Sequence, residues 1–122
     1  MTTLNSFPFA VEFVDGAQYG SPEQMYQLRA DFDQPHLSAY KALFDQYGAT
    51  QGLLSLVDVT LLIIEGSNYP DLVDHMDFDE EAYALDMHVD SPEALRQFAA
   101  IVCPAYQDLE QLRRYVRNVA AR

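Results

Sequence analysis

The amino-acid sequence predicts an α+β fold, in which a small antiparallel sheet packs against several amphipathic helices. The first observation is a strand pattern over residues 82–89, where every second position is apolar: Tyr83, Leu85, Met87 and Val89. The second is a helix start directly after it, because Ser91 offers a capping oxygen and Pro92 suits the first helical position. The third is the helical spacing of the apolar residues that follow: Leu95, Phe98, Ala99 and Val102.

Further elements flank this centre. A first strand is predicted at 8–14, with its apolar side chains on one side: Phe9, Val11 and Phe13. Ser21-Pro22 repeats the helix-start signal, and the spacing behind it predicts a short helical face: Met25, Leu28 and Phe32. Amphipathic spacing predicts further helices near 37–47, 92–103 and 108–120, with Pro104 stopping or kinking the second of these.

The segment 50–65 has two interpretations. Its β-branched residues suit a central strand, and a strand after Asp58 is the alternative. The preferred interpretation is a mostly buried helix, because Thr50 can cap its start, Gly66 can end it, and sixteen residues are long for a strand. Residues 68–76 read as a loop with one short helix, around Pro70.

The totals indicate one domain, 1–122, long enough to bury a core. The single cysteine, Cys103, is predicted to be a small buried apolar side chain in a reducing compartment. The N-terminus lacks the features of a signal peptide, and the longest near-apolar run, 53–64, is too short for a membrane span. We therefore expect a cytoplasmic protein that does not bind a membrane.

The net charge of −12 is concentrated in one part of the chain. Residues 42–95 carry twelve acidic residues and no Lys or Arg, whereas the remainder is neutral. Such a segment is either a solvated face that keeps the protein in solution or a surface that attracts a basic partner. It disfavours nucleic-acid binding, because phosphates are repelled by it.

No residue pattern predicts catalysis. The sequence has no Gly-rich phosphate loop, no paired-cysteine metal site and no nucleophile elbow. The acids around His75 could in principle hold a divalent cation, as in a metal-dependent hydrolase, but their spacing fits neither a calcium loop nor a helical pair of histidine ligands. We therefore expect no enzyme activity, no cofactor and no metal site.

Residues 70–99 resemble the C-terminal half of the immunity protein 51 family of bacterial polymorphic toxin systems. The positions that carry the resemblance are Pro70, Asp71, Leu72, Phe78, Asp79, Glu93, Ala94, Leu95, Phe98 and Ala99, and Asp108-Leu109 at the start of the last helix. The resemblance implies a non-enzymatic immunity protein that binds and neutralises a cognate toxin. The acidic segment suits a basic toxin, and a regulatory or adaptor module that binds another basic protein is the alternative.

The predicted contact surface is the acidic stretch before the central strand, interpreted as a loop. Its acids are Asp71, Asp74, Asp77, Asp79, Glu80 and Glu81, and two aromatic neighbours could serve as buried anchors: Tyr69 and Tyr83. An internal explanation competes with this one. Basic residues of the last helix could neutralise the same acids within the fold: Arg113, Arg114 and Arg117.

Overall fold

The computed structural model describes residues 6–15, 24–49, 52 and 54–121. Within them, one antiparallel sheet has the strand order β1-β2-β4-β3, with β1 at Ala10–Asp15, β2 at Gln24–Asp31, β3 at Met76–Glu81 and β4 at Ala84–Val89. The α-helices are α1 (Ser38–Gln46), α2 (Leu56–Glu65), α3 (Pro92–Gln107) and α4 (Leu109–Ala120). Short 3-10 helices lie at Pro35–Leu37 and Pro70–His75. The predicted α+β fold is confirmed.

The helices cover one face of the sheet. On this inner face, Leu28 of β2 lies opposite Met87 of β4, and both are completely buried. Phe98 of α3 and Ile64 of α2 belong to the same core. The opposite face carries the alternate side chains of each strand, which are mostly polar on β2, β3 and β4, and none of the described helices covers it.

A strand replaces the short helix that was predicted over Met25, Leu28 and Phe32. The helical prediction is wrong for Gln24–Asp31, which forms β2 between β1 and β4. The decisive alternation is that of Tyr26, Leu28 and Ala30, which face the helices. The Ser21-Pro22 signal on which the helix start rested lies outside the described residues.

A strand also replaces most of the acidic loop. Residues Met76–Glu81 form β3, an edge strand paired with β4 through a tight turn. Met76 and Phe78 pack against the core while the residues between them are exposed. An edge strand needs few apolar residues because only one of its faces is covered, which is why this segment resembles a loop in sequence.

The helix predictions are confirmed with shifted ends. The helical interpretation of 50–65 is correct from Leu56, where Ser55 caps the helix; the cap proposed at Thr50 lies outside the described residues. The helix α3 continues through Pro104 to Gln107 instead of stopping, since Pro104 lies in its last turn and is exposed. In the described part of the chain, no helix has both the length and the apolar composition required to cross a membrane.

The first strand is only partly covered by the core. Phe9 precedes β1 and is buried, whereas Val11 and Phe13 keep 37% and 48% of their surface exposed. Both side chains point to the inner face, because Val11 lies opposite Leu28 and Phe13 opposite Tyr26. The three were predicted on one side of a strand, and the structure places only Val11 and Phe13 within it.

Cys103 fulfils its predicted role as a small apolar core residue. It is completely buried on α3, and its sulfur lies 3.5 Å from the carbonyl oxygen of Ser6. Burial raises the pKa of the thiol to about 12. The thiolate, which is the reactive form, is therefore scarce at neutral pH.

Candidate functional site

The solvent-facing side of the sheet is strongly acidic. Strand register places side chains from all four strands on this side. Its acidic members, which we call the acidic sheet face, are Glu12, Asp31, Asp77, Asp79, Glu81 and Asp86. Among the described residues of this side, Arg29 is the only Lys or Arg, and His88 is the only histidine. Charge of one sign therefore dominates a surface that none of the described helices covers.

Like charges lie directly opposite one another within this face. Asp79 of β3 pairs across the ladder with Asp86 of β4, and Asp86 pairs in turn with Arg29 of β2. The amide nitrogen of Gln27 donates to both carboxylate oxygens of Asp86, at 2.9 and 3.0 Å. Two carboxylates that face each other across a ladder repel. Gln27 and Arg29 offset that repulsion at Asp86, and the backbone N–H of Glu80 donates to Asp79 at 2.9 Å.

The predicted contact residues divide into several groups. Asp77, Asp79 and Glu81 point outward from β3 and belong to the acidic sheet face. Asp71 and Asp74 are exposed on the 3-10 helix Pro70–His75, beside the start of β3. The structure thus places three of the six predicted acids on the acidic sheet face, and Asp71 and Asp74 on the 3-10 helix that precedes β3.

Glu80, the sixth predicted acid, points toward the helices and not toward solvent. Its carboxylate accepts a hydrogen bond from the Ser55 hydroxyl and another from the backbone N–H of Leu56, at 2.9 Å. These groups form the N-terminus of α2, where a negative charge is favourable. Glu80 therefore fixes α2 to β3 and does not share the surface predicted for it.

The two predicted aromatic anchors also differ. Tyr83 lies in the turn between β3 and β4, where its hydroxyl donates to Asp45 and the amino group of Lys41 lies 5.0 Å from its ring centre. This side chain holds α1 against the turn. Tyr69 is 46% exposed and lines a groove beside the 3-10 helix Pro70–His75. Of the two, Tyr69 is the ring accessible to a partner.

A histidine–aspartate pair connects the start of β3 with the end of β4. His75 Nδ1 lies 2.9 Å from Asp90 Oδ2, and the backbone N–H of Asp90 donates to the carbonyl of His75 at 3.1 Å. The carboxylate of Asp90 raises the pKa of the His75 imidazole, and Asp74 and Asp71 raise it further. Both side chains are largely exposed, so this pair is a surface contact.

The arginines of α4 do not neutralise the acidic sheet face. The ion pairs among the described residues are Lys41–Asp33, His75–Asp90 and Arg96–Glu93, and none involves α4. The helix α4 packs against α1, α2 and α3, and Arg113 donates to Gln46 at 3.0 Å. The described structure therefore contains no ion pair that supports the competing internal explanation, in which these arginines neutralise the predicted acids.

The described residues assemble no metal-binding group in this region. Within the ranges that the structure describes, no three His, Cys, Asp or Glu side chains converge in the way a metal ion requires. His88 lies on the solvent-facing side of β4, opposite Asp77 and Gln27. The arrangement is suited to attracting cationic groups through many carboxylates, because the acids are spread across a surface rather than gathered at a point.

Sequence reasoning missed three acids of this surface: Glu12, Asp31 and Asp86. They come from three different strands, and only the sheet register places them on the same face as Asp77 and Asp79. The signal that could have found them is the alternation in residues 24–31 and 76–81, read as strands.

No protein-family model, no curated protein and no solved structure matches this chain.

Proposed function

We propose that this protein is an immunity protein, a non-enzymatic inhibitor that binds a basic cognate toxin in the cytoplasm of the producing cell. The observation that carries the proposal is the acidic sheet face, a surface of six carboxylates with Arg29 as its described basic side chain. The resemblance of residues 70–99 to immunity protein 51 is the reason for proposing a toxin as the partner. The acidic sheet face is the reason for proposing that this toxin is basic.

The electrostatic argument concerns the rate of association first. A field of one sign over a whole face steers an oppositely charged protein before contact and raises the association rate by about 10- to 1,000-fold at low salt. The arginines of α4 lie in the other layer, so the two charges of the molecule are separated in space. An inhibitor gains from such steering because it must meet its toxin before the toxin meets its target.

The proposal also accounts for the repulsion between Asp79 and Asp86. A cation from the partner placed between them would interact with both carboxylates at once. The repulsion that this pair creates in the free protein would then become attraction in the complex.

The test uses the toxin domain expected from the gene beside that of this protein. Association is measured by stopped flow over a range of ionic strength for the wild type and for the double variant Asp77→Lys with Asp79→Lys. A matched control, Glu65→Lys with Glu110→Lys, makes the same change in net charge on exposed helical positions. We expect the sheet variant to associate about 10- to 100-fold more slowly and with a weaker salt dependence, and the control to remain near the wild type.

Two results decide against the proposal. If both double variants slow association equally, net charge matters and the acidic sheet face does not. If the neighbouring gene product neither binds this protein nor is inhibited by it, the immunity role is wrong. A basic protein of another class that binds through this face would then support the adaptor alternative.

A further inference from the structure

A groove adjoins the acidic sheet face at the end where β3 begins. It has a volume of about 400 Å³ and lies between the 3-10 helix Pro70–His75 and the first turn of α3. Its apolar lining comes from Tyr69, Pro70, Leu72 and Ala94. Two of its polar lining residues are acids, Asp71 and Glu93. An aromatic wall beside carboxylates is a combination that recognises organic cations.

Hydrogen bonds fix the backbone that carries the Tyr69 ring. The backbone N–H of Tyr69 donates to the Ser67 hydroxyl at 3.0 Å, and its carbonyl accepts from the N–H of Leu72 at 3.0 Å. Leu72 is buried in the core and fixes the 3-10 helix. The Tyr69 ring is nevertheless 46% exposed. A large aromatic side chain on a fixed backbone is typical of the residues that anchor protein interfaces.

The two carboxylates of the groove favour a cationic occupant over an anionic one, although His75 also lines it. The first turn of α3 borders it, but the helix offers few free donors there: Pro92 has no N–H, and the N–H of Ala94 donates to the Ser91 hydroxyl at 3.1 Å. Glu93 places a carboxylate at the same turn and Asp71 adds another. Glu93 is paired with Arg96 at 2.9 Å, an exposed pair within one helix that a better-placed cation can displace.

The groove is continuous with the surface assigned to the partner. His75 lines the groove and also lines a smaller hollow of about 170 Å³ that includes Asp74 and Asp77. Asp77 is itself a member of the acidic sheet face. A partner that covers this face therefore reaches the groove without leaving the acidic surface.

We propose that the groove receives an arginine side chain of the basic partner, with the guanidinium against Tyr69 and in contact with the carboxylates of Asp71 and Glu93. Arginine fits better than lysine, because a planar guanidinium stacks on an aromatic ring while it donates to two carboxylates. This proposal rests on the proposed function for the identity of the partner. It adds the residue type that the partner inserts and the place where that residue binds.

The pocket can be tested without the toxin. Nα-acetyl-arginine amide is titrated into the isotope-labelled full chain, and backbone amide shifts are followed by NMR. Nα-acetyl-citrulline amide serves as the uncharged isostere and Nα-acetyl-lysine amide as the point-charge comparison. We expect saturable shifts, in the millimolar range for so small a probe, centred on residues 69–72 and 91–94. Lysine should bind several-fold more weakly, and citrulline should give no saturable shift.

Variants separate the groove from general attraction by charge. Asp71→Asn and Tyr69→Leu should each weaken arginine binding several-fold, and Asp77→Asn, on the acidic sheet face, should leave it within a factor of two. Equal binding of citrulline overturns the proposal, as does equal weakening by Asp71→Asn and Asp77→Asn or an absence of saturable shifts near Tyr69. These outcomes do not depend on the toxin. If arginine binds as expected but the neighbouring gene product does not bind this protein, the arginine site is supported and the immunity function is refuted.

Discussion

The hydrogen bonds of Glu80 predict that two neighbouring carboxylates of β3 contribute very differently to stability. Glu80 points inward to the first turn of α2, and Glu81 points outward to solvent. Replacing Glu80 by alanine removes the acceptor for the Ser55 hydroxyl and for the Leu56 N–H. Replacing Glu81 by alanine removes a charge from a surface already crowded with like charges.

The expected loss in the free energy of unfolding can be worked out from the hydrogen bonds of Glu80. Both of its hydrogen bonds are only partly buried, so each contributes about 1 kcal/mol to the free energy of unfolding. The negative charge at the N-terminus of α2 adds about 0.5 kcal/mol. Leu56 is buried, so its N–H would lose its partner without gaining access to bulk water. We expect Glu80→Ala to lower the free energy of unfolding by about 2–3 kcal/mol, and Glu81→Ala to change it by less than about 0.5 kcal/mol.

Urea unfolding followed by far-UV circular dichroism measures this difference directly. The two variants remove the same atoms from adjacent residues, so Glu81→Ala controls for the loss of a β3 carboxylate. Glu80→Gln is a useful third variant, because the amide keeps one acceptor for the Leu56 N–H without the charge. It should fall between the wild type and Glu80→Ala, at about 1 kcal/mol below the wild type.

The result that would refute the reasoning is a similar unfolding free energy for Glu80→Ala and Glu81→Ala. It would mean that α2 keeps its N-terminal turn without the carboxylate from β3. A larger loss for Glu81→Ala would mean that the strand presents its opposite face to the helices. The register of β3 against β4 would then be shifted by one residue.

The remaining predictions concern the core, one surface pair and the cysteine. Leu85→Ala or Phe98→Ala should lower the free energy of unfolding by about 2–5 kcal/mol in urea titrations, because both side chains are completely buried; a loss under about 1 kcal/mol would contradict their placement. The pKa of His75 in NMR titrations should lie above its usual value of about 6.5 and return toward it in Asp90→Asn. Because folding raises this pKa, the stabilisation it reflects is complete below about pH 6.5 and disappears as pH rises through the folded-state pKa; an unchanged pKa in Asp90→Asn would exclude the pair. Cys103 should react with a thiol reagent only as fast as the protein unfolds, and rapid labelling of the native protein would contradict its burial.

The elements that sequence reasoning located correctly are those with a strong local signal. The strand predicted at 82–89 and the helix after Ser91 combine alternation, a capping residue and a proline. The structure has the helix, and it has the strand from Ala84, with Ala82 and Tyr83 in the turn before it. The failures at β2 and β3 share a physical cause. Both segments become strands by pairing with β4, and for β2 this partner lies far away in the sequence. A short amphipathic segment taken alone fits both the helical and the strand periodicity.

The candidate site shows the same limit at the level of single residues. Sequence proximity grouped Glu80 with Asp79 and Glu81, but the pleat of β3 sends Glu80 to the helices and its neighbours to solvent. Proximity could not reveal that Asp86 faces Asp79, because their pairing comes from the strand register. A surface assembled from four strands is therefore visible only once the order of the strands is known.

The distribution of charge is more specific than solubility requires. A sheet covered on one side needs polar residues on its other side, but a mixture of acids and bases would meet that need with favourable cross-strand pairs. The chain contains arginines that could supply such pairs, yet Arg113, Arg114 and Arg117 lie on α4 in the other layer. Asp79 and Asp86 instead repel each other across the ladder. Separating the charges in this way would strengthen the attraction for the basic partner that we propose, whereas a surface that only keeps the protein in solution gains nothing from it.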